Sequence, residues 1–169
     1  MPPERLETLY DEHASGLFRY ARSILANEQA AKDVLQEVFV KVARSGMPEV
    51  ENEKAWLYRL AHNGAVDQLR RSLIRRDYDR AQREETESSG PGNAGCDPDR
   101  AEMGRQLETA VAQLPLEQES VVRLRLWQEM TFQEIATIQG IPLNTAASRF
   151  RYALATLRGR LKPLYEELK

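Results

Sequence analysis

Apolar positions along this chain recur every three or four residues, the period of one helix face. Leu6, Leu9, His13, Leu17, Tyr20 and Ile24 form the first such stripe. Asn27 follows as an N-cap, and Ala31, Leu35, Val38 and Val42 line a second helix. Ser45-Gly46-Met47-Pro48 breaks it, because glycine releases the backbone and proline lacks an amide donor. Asn52 caps a third helix that carries Trp56, Leu60, Asn63, Val66 or Asp67, Leu69 and Leu73. No convincing period-two run of β-branched residues interrupts this pattern, so it predicts an all-α fold.

Residues 84–99, EETESSGPGNAGCDPD, combine glycine, proline, serine and acids and offer almost nothing to a core. Helical patterning resumes with Met103, Leu107, Val111 and Leu114. Pro115 then opens a helix carrying Val121, Leu124 and Trp127. The expected organisation is a helical domain over 1–80, a flexible acidic linker over 81–102 and a second helical domain over 103–169.

The second domain contains a motif. Thr131-Phe132-Gln133-Glu134 is a capping box, in which Thr and Glu satisfy each other's backbone amides. A short helix with Ile135, Ala136 and Ile138 follows, and Gly140 sits where a helix ends with positive φ. Ile141-Pro142 leads into a long helix from about Leu143 to Leu161. Short helix, glycine turn and longer helix make a helix-turn-helix. Stepping 100° per residue puts Ala146, Phe150, Ala153, Leu154 and Leu157 on one side. Thr145, Ser148, Arg151, Tyr152 and Ala155 fall opposite, with Arg149 on the flank. Hydroxyls, arginine and a small alanine suit a helix lying in a major groove. An ordinary amphipathic helix with a solvated face fits the same pattern. Arg158, Arg160 and Lys162 either oppose the helix dipole or contact phosphates.

Two segments of the first domain stand out. In Asp33-Val34-Leu35-Gln36-Glu37-Val38-Phe39 the polar residues Asp33, Gln36 and Glu37 share one stripe. It either docks on a basic protein surface or is simply solvated. Ala55 to Arg71 interleaves aromatics with arginine, which suits single-stranded DNA: rings stack on unpaired bases and arginines hold phosphates. Against that, Trp56 is expected in the core and His62 at the helix surface. Asn63 lowers helix propensity unless its amide has a use.

Charge sharpens this picture. The chain has 169 residues and a net charge of −2, which argues against a general nucleic-acid coat. Residues 1–76 hold twelve basic and eleven acidic side chains, residues 77–103 three and eight, and residues 104–169 nine and seven. An acidic middle therefore separates two mildly basic halves. Arg59 to Arg76 holds five arginines and one acid, and Arg149 to Lys162 five cations and no acid. Local concentration decides where an anionic polymer docks. One cysteine, Cys96, excludes an intrachain disulfide, and with only His13 and His62 beside it a structural zinc is not expected. The N-terminal MPPERLETLYDEH lacks a secretory pattern, and no apolar run approaches the roughly 18 residues that cross a bilayer. A cytoplasmic protein without metal, cofactor or membrane insertion is expected.

In this order and separation, the motifs resemble the extracytoplasmic-function sigma factors of bacterial RNA polymerase, which keep only sigma domains two and four. DVLQEVF (33–39) resembles the family's acidic helix, AWLYRLAHNGAVDQLRR (55–71) its promoter-melting segment, and residues 114–161 its domain four. The resemblance implies an initiation factor that binds core RNA polymerase at the clamp helices of the largest subunit and at the flap, and that opens promoter DNA. It also implies roles. Asp33, Gln36 and Glu37 would bind polymerase. The loop Ser45 to Glu53 would capture a base flipped from the non-template minus-ten strand. Arg59, Asn63, Asp67, Arg70 and Arg71 would contact that element or support its melting. Thr145, Ser148, Arg149, Arg151 and Tyr152 would face the minus-thirty-five duplex. An anti-sigma protein would cover both surfaces, and the free protein would be a monomer.

Some positions depart from the family pattern. Lys32 stands where an acid is usual, Ala43 replaces a common tryptophan, and Ala147 and Leu154 replace basic residues. Pro142 occupies the usual serine cap, so Asn144 becomes the expected cap. Three other readings compete. A stand-alone helix-turn-helix regulator would leave 33–71 unexplained and would usually dimerise on paired half-sites. An enzyme lacks a metal cluster, a phosphate-binding glycine loop and a nucleophile–base pair. A sigma-like protein that binds polymerase without initiating is the third.

Overall fold

The computed structural model describes residues 1–80 and 98–167; Cys96 and residues 81–97 of the expected linker lie outside them. All described elements are helices: α1 (Pro3–Leu25), α2 (Glu28–Ser45), α3 (Glu53–Arg80), α4 (Pro98–Ala112), α5 (Leu116–Leu126), α6 (Phe132–Gln139) and α7 (Leu143–Glu167). They form two compact units, one built from α1–α3 and the other around α4, α5 and α7.

The expected caps set the breaks in the first unit. The Asn27 carboxamide accepts from the Ala30 amide at 2.9 Å, and Asn52 does the same for Ala55. α2 ends where Gly46 takes φ 70°. α1 ends at Ala26 with φ 51°, a left-handed conformation that crowds a Cβ. Ala26→Gly is therefore expected to stabilise the first unit by about 1 kcal/mol. Glu129→Gly, at φ 53°, should do the same for the second unit. Urea unfolding of each variant checks both, and an unchanged or lowered midpoint contradicts the strain argument.

Leu9, Leu17, Tyr20 and Ile24 of α1 meet Ala31, Val34, Val38 and Val42 of α2 in the core. The third wall differs from expectation. α3 turns Ala55, Leu57, Tyr58, Ala61 and Ala65 inward, not Trp56, Leu60 and Leu73. Small residues let α3 close on its neighbours; at Gly64 a Cβ would stand 3.3 Å from Val34 Cγ1. This close seam takes the alanine side of α3 and leaves the bulkier side outward. Tyr20 stacks near Tyr58 and His62 and shares a 2.7 Å hydrogen bond with His62 Nδ1. An Arg5–Glu53 ion pair ties the start of α1 to the start of α3.

In the second unit, Ala110, Val111, Leu114, Val122, Ala153 and Leu157 form one core cluster. Trp127, expected on α5, is its half-exposed C-cap, and Met103 is exposed. Buried Arg123 donates through Nη2 to Glu108 Oε1 at 2.7 Å and through Nε to Glu119 Oε1 at 3.0 Å. Two carboxylates thus share one guanidinium. Burial pushes the Glu119 carboxyl up to about 7, against the pull of Arg123. Burial also works against the Arg123 charge, but the two acids more than offset it. α7 continues past Leu161 through Pro163, which removes one amide donor without ending the helix.

Candidate nucleic-acid and polymerase interfaces

With its alanine side facing the core, α3 presents Trp56, Arg59, Asn63, Asp67, Arg70 and Ile74 at helical spacing on the other side. Arg59, Asn63, Asp67 and Arg70 are all exposed, and Arg71 is exposed one step off the stripe. Arg59, Arg70 and Arg71 hold no ion pair among the described residues, so their charge is available to an anion. Trp56 is partly buried on this outward stripe; Leu57 and Tyr58 take the interior place expected for it. His62 is a second correction. It turns inward to Tyr20, and burial lowers its pKa to about 4, so the imidazole is neutral. The segment between Gly46 and Asn52 is irregular and fixed at both ends by those two residues.

Asp33, Gln36 and Glu37 are exposed on α2 as expected. They line an open groove with Val40, Lys41 and, from α3, Gln68. Lys32 pairs with Glu28 at 3.2 Å, so it does not neutralise the acidic stripe. Ala43 lies on the outer surface of α2, where a small side chain opens no hole in the unit's core.

The helix-turn-helix is built as its residues require. Thr131 and Glu134 form the full capping box, and Gly140 ends α6 at φ 65°. Sequence reasoning missed Arg125. Its Nη1 donates to the Met130 carbonyl at 2.9 Å, and its guanidinium lies 4.7 Å from the Phe132 ring. Phe132 in turn packs edge-on against Phe150 of α7. Arg125 therefore braces the turn that aims α7. Only the spacing of Arg125 to Phe132 could have hinted at it.

On α7, Ala146, Ala153 and Leu157 are buried and Phe150 partly so. Opposite them Tyr152 is 67% exposed. Arg151 is exposed, and its Nη2 donates to Ser148 Oγ at 3.2 Å. Thr145, Ser148 and Arg149 are partly buried. Two expectations need correction. Leu154, placed inward by the wheel, is on the exposed side, because the core closes over Ala153 and Leu157 instead. The start of α7 does not shift to Asn144: the Pro142 carbonyl accepts from the Thr145 and Ala146 amides at 3.0 and 3.1 Å. The expectation for Arg160 left out a contact: its Nη1 donates to the Ala110 carbonyl of α4 at 3.2 Å. Among the described residues no cluster of His, Cys, Asp or Glu is placed to hold a metal, and no helix is long and apolar enough to cross a membrane.

Comparison with known proteins gives the two units their relatives. The family description "Sigma-70 region 2" matches residues 9–73, and "Sigma-70, region 4" matches residues 104–157. The ECF RNA polymerase sigma factor SigL of Mycobacterium tuberculosis is 32% identical over 94% of this chain and 90% of its own. RNA polymerase sigma factor SigV of Bacillus subtilis is 30% identical over 92% of this chain and 90% of its own. The fold matches that of the sigma factor RpoE from Bartonella quintana, solved with the anti-sigma factor NepR, at TM-score 0.76 and 20% identity over 94% of this chain and 98% of that one. CnrH, solved with the cytosolic domain of CnrY, matches at TM-score 0.67 and 22% identity over 96% of this chain and 90% of that one. The three-helix unit and the helix-turn-helix unit after it thus follow the order of the family's two regions: this chain belongs to the ECF group of sigma factors, the initiation factors that bring bacterial RNA polymerase to promoter DNA.

Proposed function

We propose that α1–α3 binds core polymerase and holds the melted minus-ten strand, and that α4–α7 reads the minus-thirty-five duplex. One observation carries this division: Arg59 and Arg70, which hold no ion pair among the described residues, share an outward stripe with Trp56 and Asn63, on a helix whose opposite side is buried from Ala55 to Ala65. Trp56 offers a ring for stacking, the arginines hold phosphates, and Asn63 reads a base edge. Asp67 and Arg71 support the melted strand. The segment from Ser45 to Glu53 receives an extruded base; unpairing costs a few kcal/mol, offset by binding to the open form. Asp33, Gln36 and Glu37 dock on basic clamp helices of the largest subunit, and the second unit sits near the flap. Thr145, Ser148, Arg149, Arg151 and Tyr152 face the major groove. Two weak contacts on one polymerase reinforce each other through effective concentration. The chain works in the cytoplasm as a monomer and supplies no catalysis; bond formation is the polymerase's. An anti-sigma protein controls it, a reading supported by the two solved relatives bound to NepR and CnrY.

Run-off transcription with sigma-free core polymerase and a randomised promoter library tests this. Transcripts should depend on the protein and share a spaced pair of motifs. Asn63→Ala should weaken selection in the downstream motif and Arg149→Ala in the upstream one, each by about 10-fold. A stable complex with core but no transcripts would point to a protein that occupies polymerase without initiating. No complex at all would sink the reading.

A further inference from the structure

Asn144 is exposed in the first turn of α7. α7 begins at Leu143, with the Pro142 carbonyl accepting from the Thr145 and Ala146 amides, so Asn144 lies inside the first turn and does not cap it. Its carboxamide makes no hydrogen bond among the described residues. Helical spacing puts Asn144 on one line with Ser148, Arg151 and Ala155, directly opposite the buried Ala146, Ala153 and Leu157. Along that line Ser148 and Arg151 are tied to each other at 3.2 Å. Asn144 is thus the leading polar group of the stripe, and it has both a donor and an acceptor to spend.

That chemistry matches one base edge in the major groove. Adenine presents the N6 donor and the N7 acceptor side by side, and a carboxamide meets both at once; guanine presents two acceptors and cannot be met this way. Ala155, with its small side chain, keeps the same line clear for close approach. We infer that Asn144 is a specificity-determining residue of the upstream promoter element, reading one adenine by a paired hydrogen bond. Asn144 and Arg151 stand about 10 Å apart along α7, the length of about three base-pair steps. The adenine should therefore lie up to about three positions from the base pair nearest Arg151. This inference rests on the reading of α4–α7 as the duplex-binding unit.

The test uses holoenzyme assembled from core polymerase and the full chain, with promoter duplexes randomised in the upstream element. The wild type should select adenine at one position. Asn144→Ala should lose that preference by about 10-fold while the other positions keep theirs. Asn144→Asp has the same size, suits a helix start and removes the donor, so it should fold normally and lose the preference too. Replacing that adenine with 7-deazaadenine should weaken the wild type but not Asn144→Ala. An unchanged selection by both variants, or a loss spread evenly over all sequences, overturns the role of Asn144. If the wild type selects no upstream element at all, the duplex-binding reading falls together with it.

Discussion

Arg123→Ala should destabilise the α4–α7 unit by roughly 3–5 kcal/mol at neutral pH. Arg123 is 4% exposed and is the shared partner of Glu108 and Glu119. Removing it takes away the hydrogen bonds to both acids and leaves the volume of a buried side chain unfilled. The pull of Arg123 on Glu119 is lost as well, so that buried carboxyl takes up a proton, and Glu108 is left without its cation. The protein carries its own reporters, because its two tryptophans, Trp56 and Trp127, fall one in each unit. Urea unfolding in a Trp56→Phe background, followed at Trp127, should show the midpoint falling by roughly 2 M. The apolar double replacement Glu119→Leu with Arg123→Met should restore most of the loss, since volume and burial are kept and the acid left without its cation, Glu108, is 37% exposed and reaches water. A midpoint shift under about 0.5 M for Arg123→Ala would mean that water reaches the network and that it braces nothing.

The two units should respond to pH in opposite directions. His62 is held at about 4 by burial, well below its ordinary 6.5. The folded first unit therefore binds fewer protons than the unfolded chain. Its contribution is complete above pH 6.5 and is lost as pH falls through 4, a swing of about 3 kcal/mol. Burial moves His13 the same way. Glu119 is the reverse case. Its carboxyl is raised to about 7, so the folded second unit holds that proton more tightly than the unfolded chain. The stability it lends is complete below the ordinary carboxylate range near 4.5 and is lost as pH rises through 7. Unfolding followed at Trp56 and at Trp127 in single-tryptophan variants should give curves of opposite slope between pH 4.5 and 6.5. His62→Gln should flatten the first and Glu119→Gln the second. Parallel slopes that neither substitution alters would show that exposed carboxylates, not these two groups, govern the response.

Local chemistry was readable in the sequence where a signal lies within four residues. Asn27, Asn52, the Thr131–Glu134 box, Gly46 and Gly140 all act where their spacing puts them, because caps and turns are made by near neighbours. The inward side of α3 was misjudged for a physical reason. Weighting positions by apolar bulk favours Trp56, Leu60 and Leu73, but a close helix seam selects small residues such as Ala61, Gly64 and Ala65. His62 and Tyr20 are 42 residues apart, and Arg123 and Glu108 are 15, so no period along the chain announces either contact. Arg160 also satisfies a carbonyl on another helix, a contact that only the tertiary fold reveals. The exposed site residues fared better: Asp33, Gln36, Glu37, Arg59, Asn63, Asp67 and Arg70 all emerge on outward faces. Exposure follows from periodicity, whereas what each one touches in a complex does not.

The division of α3 and α7 into a core side and a bare side has an evolutionary consequence. Substitutions on the bare side, away from caps and buried groups, change stability by no more than about 0.5 kcal/mol. Asn63, Arg70, Asn144 and Arg151 can therefore be exchanged one at a time without endangering the scaffold. The α2 stripe that contains Asp33 and Glu37 lies on a separate helix. A duplicated gene could drift to new target sequences while its product still docks on the same machine. Few mutational steps would separate one regulatory circuit from another, and the size-limited seam at Val34 and Gly64 would be the part that stays still.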